Sequence, residues 1–209
     1  MIQSPRHMSR ISRGIVIFEA SRHRAFWQEK ACRRESDGIL PGGRLSVSSF
    51  DLILLMRIMR TLANPGDLQL IQLRLSMLTE RDAAAWGRMN AHQMIRHLSD
   101  SMGVPLGEIR VADAEVSWLQ RLALKWAALY VPLKWRPNFP TRPELDQCSL
   151  NLPLGDFETD RRKAIALAEH LSEAELEGRR HPYFGAVTRA QWLRWGWLHA
   201  DHHLRQFGR

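Results

Sequence analysis

Two four-residue stretches, Asn90-Ala91-His92-Gln93 and Thr188-Arg189-Ala190-Gln191, constrain this chain most. Each sets a capping residue three places before a glutamine. In that pattern the first side chain accepts from the N3 backbone N–H and the glutamine reaches back to the first residue's own N–H. The first box predicts a helix from Asn90 to about Met102, with Gly103 and Pro105 as its stop. The second predicts a final helix of about 20 residues, about 30 Å long. Asn64-Pro65-Gly66-Asp67 is a turn with a ready cap, followed by Leu68, Ile71, Leu75 and Leu78 at helical spacing. Ala112–Tyr130 and Phe157–Leu171 read as two more helices from their apolar spacing. Pro132, Pro137, Pro140 and Pro143 break the segment between them into a long extended connection, and residues 177–187 read as a loop. No segment alternates as a strand should. The chain reads as all-α.

Residues 1–48 differ in character. They are rich in Ser, Arg and Gly, hold one short apolar island at Ile15–Phe18, and sustain no period. They read as a disordered or loosely helical N-terminal extension, or as the product of a start assigned upstream of Met56 or Met59, with the helical domain spanning 49–209. Of the net charge of +8, +5 belongs to this stretch, which leaves +3 for residues 49–209. That small surplus, without aromatic and basic residues interleaved on one face, argues against a nucleic-acid partner. No apolar run approaches the roughly 20 residues needed to cross a bilayer, so no membrane partner is expected. Cys32 and Cys148 form no CxxC pair, and the expected compartment is a reducing cytoplasm.

The final helix carries His199, His202 and His203. At about 100° per residue, His199 and His203 project side by side, and Gln206, Trp195 and Trp192 share their face. Such a pair can offer two imidazoles to one metal. His202 leaves that face by about 100°, and Asp201 points nearly opposite. An H-x3-H pair arises by chance in many helices, and a catalytic zinc site has three protein ligands and an open position. His97, in the middle of the helix that starts at Asn90, is the best third ligand. Asp100, one turn further on, could orient a ligand or a water, though its position also suits a solvated flank. His92 and His170 read as surface residues, and His181 as a loop residue that could cover the site but better suits a structural role.

The segments "WGRMNAHQMIRHLSDSMGVPLGE", "NFPTRPELDQ" and "HPYFGAVTRAQWLRWGWLHADHHLRQFG" resemble the DinB-like (YfiT-type) superfamily, most closely a branch ending in His-x-Asp-His-His-Leu-Arg-Gln-Phe-Gly. The resemblance covers about Met59 to Gly208. It implies a four-helix bundle with a metal held by His97, His199 and His203, and with Gln206 following the pair. It also implies a thiol-dependent S-transferase or a hydrolase acting on a small molecule, with a low-molecular-weight thiol as a candidate partner and a homodimer as a candidate assembly. Imidazole ligands suit zinc, nickel, iron or manganese without choosing sharply among them. Such an ion lowers the pKa of water or of a thiol and so prepares a nucleophile. No catalytic residue beyond the triad is legible: there is no Ser or Cys nucleophile motif and no phosphate loop. The alternative is a noncatalytic bundle that binds a metal or a ligand.

Overall fold

A computed structural model describes residues 59–150 and 152–209. The expected extension over residues 1–48, and the first ten residues of the expected domain, lie outside the described residues. The described chain is mostly helical, with six α-helices: α1 (Pro65–Ser76), α2 (Ala91–Leu106), α3 (Trp118–Tyr130), α4 (Gln147–Leu150), α5 (Phe157–Glu173) and α6 (Arg189–Gln206). A single 3-10 turn, Pro143–Leu145, precedes α4. A two-stranded antiparallel hairpin, β1 (Arg180–His181) and β2 (Gly185–Ala186), stands where a plain loop was expected.

Both capping boxes form as read. The Asn90 and Thr188 side chains accept from Gln93 and Gln191 N–H, and each glutamine side chain returns the bond. A third box, Ser117 with Gln120, starts α3 six residues later than its apolar pattern alone implies. The stop of α2 is also later than expected. Gly103 and Pro105 lie inside the helix, which ends where Gly107 turns left-handed at φ 83°. A proline one residue from a helix end removes only one bond of the last turn, so the Gly107 cap sets the boundary.

Helices α1, α2, α5 and α6 pack on one core that includes Ile71, Leu75, Ile95, Leu98, Leu171 and Leu204, none of them measurably exposed. Residue 196 packs closely: a Cβ there would stand 2.8 Å from Leu62 Cδ1 and 3.3 Å from Leu171 Cδ2, so those side chains would have to shift. The carboxyl end is pinned. Arg74 of α1 bonds Asp201 at 2.7 Å and the Arg209 carbonyl at 2.7 Å, Arg209 pairs with Asp82, and Phe207 is buried. Helix α3 differs from the other long helices: only Leu129 is buried, and Trp118, Leu119, Leu122 and Trp126 are exposed. Its apolar repeat therefore does not mark a core face.

His92 corrects a surface reading. It is buried, and its Nε2 lies 2.8 Å from Asp160 Oδ2, tying α2 to α5. His170 is exposed, as expected. Among the described residues, no helix is long and apolar enough to cross a membrane.

Candidate metal centre

His97 projects from the middle of α2, and His199 and His203 project from successive turns of α6. Their Nε2 atoms converge. His199 Nε2 lies 3.2 Å from His97 Nε2 and 3.1 Å from His203 Nε2. Two nitrogens on one tetrahedral ion, each bonded at 2.0–2.1 Å, stand about 3.4 Å apart. The observed spacing is close to that edge. Among the described residues, these three histidines form the cluster whose ligand atoms could hold an ion.

Hydrogen bonding settles which nitrogen carries the proton on two of the rings. His97 Nδ1 lies 2.9 Å from the Leu145 carbonyl. A carbonyl only accepts, so Nδ1 is the N–H and Nε2 is bare. His203 is fixed through one relay. The Trp86 carbonyl also only accepts, so the Gln206 amide turns its Nε2 toward it and its Oε1 toward His203 Nδ1, 3.0 Å away. His203 Nδ1 therefore donates, and its Nε2 is bare as well. Two bare nitrogens thus face His199 Nε2, which can offer one proton to one of them. A cation in their midst satisfies all three lone pairs. The donor set fits a divalent ion of borderline softness such as zinc, nickel or iron better than manganese, which favours oxygen ligands.

The electrostatics agree. Burial holds His97, His199 and His203 below the ordinary imidazole range, and in His199 and His203 the neighbouring histidines add to it. The rings stay neutral at physiological pH, the form a metal needs. Trp195 stacks on His199 with ring centroids 4.8 Å apart and fixes its plane.

The other expected site residues divide. Gln206 contacts the centre through His203, as its place one turn on suggested. Asp100 does not contact it: its carboxylate accepts from Gln147 Nε2, and burial raises its pKa. Asp201 turns away, as expected, to Arg74 and Arg205. His181 is held at the hairpin turn, where its Nδ1 accepts from the N–H groups of Tyr183 and Phe184 and its ring stacks on Phe184. Burial lowers its pKa to about 3. His202 stays out of the cluster, yet it is 93% buried, not a spectator on the surface, and its Nδ1 finds no partner among the described residues.

Two features were not legible. One is the Leu145 carbonyl, because a backbone acceptor leaves no mark in a sequence. The other is a cavity of about 410 Å3 beside the triad, reached by His97 and His199 and walled by Leu124, Val131, Trp135, Phe139 and Phe184. Its walls come from α3, the hairpin and the proline-rich connection. Trp135 Nε1, bonded to the Ala128 carbonyl at 2.9 Å, fastens that connection to α3.

A family model, described as a protein of unknown function (DUF1569), matches residues 62–209, and the chain belongs to that family. No curated protein and no solved structure matches it. The family assignment corrects the resemblance to the DinB-like superfamily: the quoted segments all fall within the DUF1569 match, and no DinB-like match accompanies it. An H-x3-H pair facing a histidine one helix away is a geometry that unrelated helical proteins can share. The case for a metal at these residues therefore stands on the geometry above.

Proposed function

We propose that this DUF1569 protein is a metal-dependent enzyme that acts on a small molecule, with His97, His199 and His203 as the metal ligands. The observation that carries this reading is the convergence of three Nε2 atoms, two of them stripped of their proton by the Leu145 carbonyl and by Gln206. We read α1, α2, α5 and α6 as a four-helix bundle whose open end is the site. A divalent ion held there supplies Lewis acidity to an oxygen or sulfur atom beside it.

The chain's own residues do the rest. Leu145 and Gln206 lock two ligand rings in one tautomer and one orientation. Trp195 holds the third. The apolar walls keep bulk water from the reacting atoms and strengthen every polar contact inside. The group accepting from substrate is water in a hydrolase and a low-molecular-weight thiol in an S-transferase. Cys148, a free and half-buried thiol, suits a reducing cytoplasm.

The test is turnover of a panel of esters, amides and electrophiles by metal-loaded and chelator-treated protein, each with and without added thiol. Turnover that requires metal, and is lost in His199→Ala, supports the proposal. Turnover that needs thiol as well identifies the transferase. Bound metal with a fourth protein ligand and no turnover supports a noncatalytic metal-binding bundle instead.

A further inference from the structure

Helix α3 and the connection after it combine exposed apolar surface with unbalanced positive charge. Of the thirteen large apolar side chains left exposed among the described residues, seven lie between Trp118 and Phe139. Four of them, Trp118, Leu119, Leu122 and Trp126, fall within one sector of the helix about 100° wide. Trp118 is 71% and Trp126 57% exposed, an unusual state for the largest apolar side chain. Residues 116–143 also hold five cations, Arg121, Lys125, Lys134, Arg136 and Arg142, and no carboxylate. Taking that +5 from the +3 of residues 49–209 leaves −2 for the remainder, so the surplus belongs to this stretch. We infer that this face docks on the surface of an anionic lipid membrane, with its indoles and leucines in the headgroup boundary and its cations among the headgroups. The inference does not rest on the metal reading. Docking of this kind needs no spanning helix, because an amphipathic helix lies in the plane of the interface.

Exposed apolar patches mark protein or membrane partners, and the charge decides between them. A two-fold dimer sets a patch against itself. Arg121 and Arg142 have Asp113 and Glu144 beside them, each 3.7 Å away. Lys125, Lys134 and Arg136 have no carboxylate within ion-pair distance among the described residues, so a second copy meets like charge. Residues 1–48, at +5, are repelled in the same way. Nucleic acid matches the charge but gives Leu119 and Leu122 nothing apolar to enter. An anionic bilayer supplies both parts: tryptophan favours the headgroup level, and cations are drawn to the lipid phosphates and carboxylates. Val131, Leu133, Lys134, Arg136 and Phe139 extend the face and also line the cavity beside the triad. Docking therefore brings the rim of that cavity to the lipid boundary.

The test is sedimentation of the full chain with phosphatidylcholine vesicles, alone or with about one third phosphatidylserine. The serine lipid is expected to bind the protein at least about tenfold more tightly, and added salt to weaken that binding. Lys134→Ala/Arg136→Ala should weaken it about ten- to thirtyfold, at about fivefold per cation. Trp118→Ser/Trp126→Ser should weaken it comparably at unchanged charge. All four side chains are exposed, so an unchanged melting temperature certifies the fold. Tryptophan emission should shift to the blue on the anionic vesicles, and Trp118→Phe/Trp126→Phe should keep the binding and lose most of the shift. Equal binding to both kinds of vesicle, or binding to neither, overturns the inference. Binding that both face variants leave intact belongs to another surface, such as the basic N-terminal stretch, and overturns it too. A dimer that Trp118→Ser/Trp126→Ser turns into a monomer gives the face to a second copy, and equal affinity for soluble polyglutamate gives it to an acidic protein; either result overturns it.

Discussion

At the residue scale the centre depends on which nitrogens carry protons, and that depends on partners the ligands do not themselves announce. His97→Ala, His199→Ala and His203→Ala are each expected to abolish tight metal binding, measured as bound metal per chain after dialysis. Gln206→Ala removes only the group that fixes the His203 tautomer, so metal affinity should fall about 10- to 100-fold, with the site still selectable at high metal. Gly87 gives an independent check. A Cβ there would stand 2.5 Å from Gln206 Nε2, on a backbone with φ 83°, so Gly87→Ala should push Gln206 off Trp86 and reproduce part of the Gln206→Ala loss. Replacing His202 with Phe should leave metal content intact, because that ring sits outside the cluster. The positions of His199, His203 and Gln206 were legible because helical register alone sets them. The role of His202 was not: register shows that it leaves the ligand face, but only the packing of Trp86 and Trp135 around it shows that it is buried.

At the element scale the helices were legible wherever a cap was, since Asn90 and Thr188 fix their starts by local hydrogen bonds that need no tertiary partner. Asn90→Ala should lower stability by about 1 kcal/mol, read as a shift in the denaturant midpoint with unchanged slope. The proline-rich connection was legible as a break but not as a wall of the site. Four prolines say that a helix cannot continue; they do not say that Leu145 will turn its carbonyl to His97. Helix α3 was legible as a helix but not in what it packs on. The tryptophans at 118 and 126 are exposed, and the spacing of apolar residues carries no record of their neighbours. Close packing of α6 is testable at Gly196. Gly196→Ala drives a methyl into Leu62 and Leu171, and overpacking of this kind should cost about 1–3 kcal/mol despite the gain in helix propensity.

At the scale of the whole molecule, the core described from Leu62 to Phe207 is shared by the helices that carry His97, His199 and His203, so the packing that forms it also brings the three rings together. The core's first residue coincides with the start of the family match, and removal of residues 1–48 is expected to leave metal binding unchanged, checked by bound metal per chain in the shortened protein. Acid should unfold the protein in a set direction. His97, His181, His199 and His203 all have folded pKa values below the ordinary 6.5, so the unfolded chain takes up protons first as pH falls. Their stabilisation is complete above about pH 6.5 and is lost below it, at about 1.4 kcal/mol per pKa unit for each group. The melting temperature of the metal-free protein should therefore drop between pH 7 and 5, and a bound divalent ion should offset part of that drop. The central claim, that three imidazoles form a metal centre, is tested most directly by X-ray absorption at the edge of whichever metal the protein retains. The expected result is one ion per chain with three nitrogen neighbours at about 2.0–2.1 Å, at least one further light ligand, and loss of the signal in His199→Ala. A metal-free protein that takes up no zinc, nickel, iron or manganese, or an ion whose shell is unchanged by His199→Ala, would contradict it.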